Sequence, residues 1–299
     1  MKTSPIAASA LAFSFAFGLL SLRADDALEG VVAVASKVSD DYVRTKLPDG
    51  SFPTEYYSFG PGGQWGGEIK DETIDKLHFL DIAHVVSGPL AARNYLPATD
   101  PKSTKLLIMV YWGTTAVPGP TSDSVAYDQL SAAQAEAAAP NASAAETNAS
   151  MSKMSSAMTM LQMENDMRDQ LDFKNAKMLG YDAAGTIGTD YGNHIRGGAF
   201  GAERQELIDE IEVNRYFVVL MAYDFQLLWK QKKHKLLWET RFSISERRNS
   251  FDKALPLMAQ YASRYFGQPS NGLLRTQVQE GKVEIGELKS LGEVAPPPK

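Results

Sequence analysis

Asp190, His194 and Arg196 stand close together in one glycine-rich stretch, GYDAAGTIGTDYGNHIRGG at 180–198. A carboxylate, an imidazole and a guanidinium are groups that a hydrolase uses to move a proton and to steady a developing oxyanion. Binding groups also concentrate on loops carried by a rigid scaffold. These three residues are therefore the candidate binding residues, and a hydrolase-type enzyme using this loop is one functional alternative. No nucleophile–base spacing accompanies them, so no catalytic residue is assigned. Glycines and Asp/Asn punctuation make surface loop the expected structure of the stretch.

Two other groupings invite metal chemistry. His78, Asp81 and His84 could share an ion, but the two histidines are six positions apart rather than four. A helix turns such a pair away from a common ligand position, so no metal site is assigned and no cofactor is implied. Met151, Met154, Met158, Met160, Met163 and Met167 crowd a second helical stretch. Thioethers suit Cu(I), which makes a Cu(I)-binding protein the other functional alternative. Burial asks for the same pattern: Met151, Met154, Met158 and Leu161 form a packing stripe that Met160, Met163 and Met167 widen. Packing is the expectation. The run Gly60, Gly62, Gly63, Gly66 and Gly67 lacks the Gly-Lys-Ser/Thr ending of a phosphate-binding loop and is expected to be a flexible connection.

The chain has 299 residues, a net charge of -6 and no cysteine. Disulfides, thiol chemistry and a lipidated N-terminal cysteine are thereby excluded. Lys and Arg are scattered, so a nucleic-acid partner is not expected. Lys2, an apolar run at 6–20 and Leu22-Arg23-Ala24 ahead of Asp25-Asp26 have the layout of a secretory signal peptide over 1–24. An uncleaved anchor is its competitor, because the run approaches the length of a membrane span. Export without disulfides fits a bacterial periplasm or exterior. No second apolar run of that length follows, so no transmembrane segment is expected after the leader. Residues 25–285 then form a single domain, and 286–299, with Pro296, Pro297 and Pro298, a disordered tail.

The elements that must position these groups centre on residues 215–244, RYFVVLMAYDFQLLWKQKKHKLLWETRFSI. Its first arm is apolar on both alternating faces, which requires cover on both sides. Its second arm alternates, and a basic loop with Lys230, Lys232, Lys233, His234 and Lys235 joins the two as an antiparallel hairpin. Upstream, 31–46 is predicted as a short helix carrying Val34, Val38 and Tyr42, and TEYYSF as a strand. Asp71 is expected to cap a helix through Ile74, Leu77, Ile82 and Val85, with Gly88-Pro89 bending or dividing it. KLLIMVYW is a buried strand. Residues 118–172 change composition and are expected to be an inserted helical hairpin. A charged helix at 204–213 leads into the central hairpin, and Phe251, Leu255, Met258, Ala262 and Tyr265 mark a closing helix on the sheet face of Trp238, Phe242 and Ile244. Residues 282–288 are expected to form a short strand or to fray. The fold expected is α+β: a four-stranded, mainly antiparallel sheet packed by helices at 71–95 and 250–266.

The succession of TEYYSF, LAARNYLP, KLLIMVYW, VVLMAYDF, KLLWETRFSI and a closing helix ending in YFG resembles a family of uncharacterised bacterial envelope proteins, many of them lipoproteins. These carry a domain of unknown function with β-α-β-β-β-α order. The resemblance implies that fold and an envelope setting, and supplies no catalytic residue. The function expected is an exported, non-enzymatic envelope or periplasmic binding or assembly module, its partner an envelope component or another protein.

Overall fold

A computed structural model describes residues 28–65, 71–117, 119, 123–182 and 199–278. Its strands are β1 (Gly30–Val38), β2 (Glu55–Trp65), β3 (Tyr95–Pro97), β4 (Leu106–Thr114), β5 (Arg215–Asp224), β6 (Leu236–Ser245) and β7 (Leu273–Val278). The helices are α1 (Glu72–Asp75), α2 (Phe79–Ala91), α3 (Val125–Ala137), α4 (Ala144–Leu179), α5 (Ala199–Ile211), α6 (Phe225–Gln231) and α7 (Phe251–Ser263). The expected signal peptide, the expected tail and the strand expected at 282–288 all lie outside the described residues.

The strands make one seven-stranded sheet in the order β3-β2-β4-β5-β6-β1-β7. β2 pairs parallel with β3 and β4, and the remaining neighbours pair antiparallel. The fold is α+β, but the sheet is mixed and larger than the four-stranded, mainly antiparallel one expected. Three strands account for the difference. Residues 30–38 form β1 because the valines at 32 and 34 enter one core and Ala33 another, a strand period that the spacing of Val34 and Val38 had disguised as helical. β3 is too short to carry a pattern, and β7 is an edge strand, half of it polar and none of it fully buried, of sequence LLRTQV.

β5 lies at the middle of the sheet. Tyr216, Val218, Leu220 and Ala222 enter the core beneath α2 and α7, where Trp238, Phe242, Phe251, Met258 and Phe266 pack. Phe217 and Val219 enter the opposite core, with Ala33, Ala176, Leu179, Tyr181 and Ile211. A fully buried aliphatic side chain contributes about 1.5–3 kcal/mol, so a strand shedding water on both faces is a major source of cohesion here.

Local chemistry sets the remaining departures. Asp71 does cap a helix, accepting from the Thr73 amide at 2.7 Å, but that helix is one turn long. A second starts after His78, whose amide donates to the Asp81 carboxylate at 2.8 Å, and Pro89 is accommodated inside it. The basic connection of the hairpin contains α6, capped by Asp224, which accepts from the Leu227 amide at 2.9 Å. Gly60, Gly62 and Gly63 lie in β2 rather than in a loop, and a bulge falls between Pro61 and Gly63. A side chain at Gly62 would meet the Tyr111 ring at 2.6 Å, so the missing Cβ lets that ring cross the strand.

Between β4 and β5 the helices α3 and α4 pack against each other, and α4 continues to Leu179, past the 172 bound read from sequence. Their seam corrects the methionine stripe. Ser150 and Ala157 are buried between the helices facing Ala126 and Ala133, while Met151, Met158, Met160, Met163 and Met167 are exposed. Small residues let two helices approach closely, and that shifts the seam by one position from the one hydrophobicity favours. No helix of the described residues is long and apolar enough to cross a membrane.

Candidate functional site

β2 and β4 run parallel and end together, at Trp65 and Thr114. Loops and crevices beyond the carboxyl ends of parallel strands are a recurrent place for ligands. Here the space is closed from above by the last turns of α4, which reach across the sheet to β1 and β6. Gly180 ends that helix in the left-handed conformation, at φ 87°, and a Cβ there would meet the Ala35 side chain at 2.6 Å. Arg241 of β6 ties down the same end. Its Nη1 donates to the carbonyls of Lys177 and Met178 at 3.0 and 2.7 Å, and its Nε donates to Glu239 at 2.6 Å. A cation on the last carbonyls of a helix also meets the negative end of the helix dipole.

Between these elements is a cavity of about 610 Å³ lined by Gln64, Trp65, Thr114, Ala116, Leu171, Lys174, Asn175, Lys177, Met178 and Arg241. Trp65 forms its aromatic wall, resting on Tyr111 and Phe217 at centroid distances of 5.1 and 6.1 Å. Its carbonyl crowds Gly113 so closely that a Cβ there would lie 1.7 Å from the oxygen. Asn175 is buried and donates to the Ala116 carbonyl at 2.7 Å, which fixes the strand exit against α4. Lys174 and Lys177 are exposed on the rim and make no ion pair among the described residues. The lining thus offers an aromatic surface, the apolar side chains of Ala116, Leu171 and Met178, two ammonium groups and neutral amides.

Beside the cavity, on the next position of α4 after Leu171, Asp172 is buried, and neither of its carboxylate oxygens has a hydrogen-bond partner among the described residues. Burial pushes its carboxyl up to about 6, the negative charge of Glu212 adds to the effect, and Arg168 opposes it. The Glu212 carboxyl is raised too, again chiefly by burial.

Asp190, His194 and Arg196 lie outside the described residues. Asp81 and His84 are exposed on α2, which packs on the other face of the sheet, and the Asp81 carboxylate is engaged in capping that helix. Among the described residues no three His, Cys, Asp or Glu side chains gather as a metal site. The residues that do line the cavity were faint in sequence. Lys174 and Lys177 share a helix face beside the buried Asn175, and Arg241 is a charge within a strand, but Trp65 comes from a strand whose extent the glycines hid.

No family profile and no curated protein matches the chain. Among solved structures, the chain is similar to a PDZ domain protein from Parabacteroides distasonis ATCC 8503. That match has a TM-score of 0.33 and 12% identity and covers 84% of this chain and 39% of the other, a likeness too remote to place the chain.

Proposed function

We propose that this protein is a non-enzymatic binding module of the bacterial envelope, and that its ligand is an anion bearing an aromatic or aliphatic body. The observation that carries the reading is the presence, in one cavity, of the Trp65 indole and the ammonium groups of Lys174 and Lys177, which make no ion pair among the described residues. A pocket of this kind gains affinity from apolar contact and orientation from a few polar groups. A carboxylate, sulfonate or phosphate would sit at the lysine rim and its apolar part against the indole and Met178. The envelope setting is supported by the leader-like residues 1–24 and the absence of cysteine, and the mass of the mature N-terminus tests it directly.

The cavity is tested with 8-anilinonaphthalene-1-sulfonate, an anion with a fused aromatic body. The expected result is saturable binding at one site by native protein, weakened about tenfold or more when Lys174→Glu and Lys177→Glu are combined, which corresponds to about 1.4 kcal/mol. Binding that is indifferent to both Trp65→Ala and the paired lysine substitutions overturns the assignment.

A further inference from the structure

The connection between β5 and β6 combines concentrated charge with apolar surface. Residues 225–238, FQLLWKQKKHKLLW, hold four lysines and no acidic residue, in a chain whose net charge is -6. α6 opens this stretch with Phe225, Leu227, Leu228 and Trp229, yet none of its residues is buried. Trp229 is 44% exposed and shares a helical face with Phe225, their ring centroids 6.2 Å apart. Two more apolar side chains stand at the same end of the sheet: Leu236 at the start of β6, 37% exposed, and Tyr56 of β2, 42% exposed.

A fixed backbone presents these groups. Asp224 caps α6, and the Phe225 amide donates to the Lys105 carbonyl at 2.9 Å. Gln226 Nε2 donates to the carbonyls of Pro101 and Thr104 at 2.8 and 2.7 Å. Lys235 is held in an ion pair with Asp41, whereas Lys230, Lys232 and Lys233 are exposed and make no ion pair among the described residues.

A packing helix would bury its phenylalanine, leucines and tryptophan, and a solvated basic turn would need only the lysines. α6 and its exit do neither. A bilayer interface accepts both kinds of group at once. An indole sits at headgroup level with its apolar body toward the acyl chains, and lysine stems run along apolar surface while their ammonium groups reach lipid phosphates. One short helix offers little apolar area, so electrostatic attraction must supply much of the affinity, which selects an anionic leaflet. The negative charge on the remainder of the protein leaves this tip as the end that such a leaflet attracts.

We propose that the α6 tip, with Trp229 and Leu236 beside Lys230, Lys232 and Lys233, docks the protein on the surface of an anionic phospholipid bilayer. The tip lies at the start of β4 and the cavity at its end, about 26 Å of strand apart, so docking does not rest on the reading of the cavity.

The experiment is co-sedimentation of the full chain with vesicles of phosphatidylglycerol mixed with phosphatidylcholine, beside vesicles of phosphatidylcholine alone. The parent protein should bind the mixed vesicles at least about tenfold more tightly than the neutral ones, and less tightly as salt rises. Lys230→Gln, Lys232→Gln and Lys233→Gln together should weaken binding about a hundredfold, the effect of three cations at an anionic surface. Lys76→Gln with Lys153→Gln, at exposed positions elsewhere, should leave it nearly unchanged. The apolar run at 6–20 is common to every variant, so any lipid affinity of its own cancels in these comparisons. Glutamine matches lysine in helix propensity, and an unaltered far-UV spectrum confirms that folding is intact. Lipids with brominated acyl chains give a second readout: they should quench the indole fluorescence of the parent protein, and most of that quenching should vanish in Trp229→Phe. Equal binding to mixed and neutral vesicles overturns the proposal, as does binding undiminished in the triple variant or lost equally in the control pair. Binding to soluble polyglutamate as tight as to mixed vesicles, with no lipid quenching of Trp229, would make the tip a contact for acidic protein and likewise overturn it.

Discussion

The indole of Trp65 rests on the ring of Tyr111, with centroids 5.1 Å apart and planes inclined by 42°. Tyr111 in turn occupies the space that a side chain at Gly62 would fill. The aromatic wall of the cavity is therefore set by a glycine three residues earlier on the strand of Trp65, acting through Tyr111 of β4. Gly62→Val should displace Tyr111, lower stability by about 1–3 kcal/mol as overpacking usually does, and weaken anilinonaphthalene sulfonate binding. Chemical denaturation and a binding titration measure the two effects. Unchanged values for both would mean that the ring is free to move aside and that the wall is not set in this way.

The same glycines show what the sequence could and could not disclose. The unbroken apolar run at 215–224 and the alternation at 236–245 are written in side-chain type, because β5 is buried on both faces and β6 mainly on one. Asp71 and Asp224 announce helix starts for a local reason, a side-chain oxygen near unpaired amides. Gly60 and Gly62 could not disclose a strand, since the reason for them is Met109 and Tyr111 on a partner strand far along the chain, and Gly63 answers to the bulge, where its φ is 117°. The methionine seam failed similarly: polarity favours Met151 and Met158 for burial, but the closeness of an alanine-lined partner helix selects Ser150 and Ala157. The cavity was illegible because its walls come from β2, β4, β6 and α4, and only the sheet order brings them together.

Asp172 gives the fold a pH dependence of definite sign. Its carboxyl binds a proton more tightly folded than unfolded, so between its ordinary value near 3.8 and its folded value of about 6 the native state holds more protons. The stabilisation is complete at the acid end and is lost as pH rises through about 6. Asp172→Asn removes the ionisation, and should raise stability at pH 8 by about 1–3 kcal/mol while leaving it nearly unchanged at pH 4. Thermal or urea unfolding at the two pH values measures this. A variant less stable than the parent protein at pH 8 would show that the carboxylate is compensated in solution.

Tyr216 couples the middle strand to two helix starts. Its hydroxyl donates to the Asp71 carboxylate that caps α1, and Thr73 of that helix accepts from the Phe251 amide at the start of α7, at 3.0 Å. Burial disfavours the Asp71 charge, but the bonds from Tyr216 and Thr73 outweigh it and hold the carboxyl below its ordinary value. This contribution is present at neutral pH and is lost as pH falls through the folded value. Tyr216→Phe should cost about 1.5–3 kcal/mol at pH 7, in the range for a hydrogen bond to a charged group. Asp71→Ala should cost about 1–2 kcal/mol as a lost cap. A double-mutant cycle is expected to show a coupling of at least about 0.5 kcal/mol, and simple additivity would mean that the two groups act independently.

Arg241 holds the end of α4 that roofs the cavity, and the geometry makes its shape matter as well as its charge. One guanidinium nitrogen reaches the carbonyls of Lys177 and Met178 while another engages Glu239, a forked arrangement that a single ammonium group cannot reproduce. In Arg241→Met the apolar stem is largely retained but the last carbonyls of the helix lose their donor and the half-buried Glu239 its partner. The expected loss is about 2–3 kcal/mol, from charged hydrogen bonds removed in a partly buried setting. Arg241→Lys should recover less than half of it. Amide exchange should quicken over residues 176–181 in both variants while β5 stays protected, because the central strand keeps its own cover on the opposite face. Anilinonaphthalene sulfonate affinity should fall in the same order as the helix end loosens. Full recovery with lysine would reduce the role of Arg241 to charge alone, and unchanged exchange over 176–181 would show that Gly180 and the buried Leu179 anchor the helix without it.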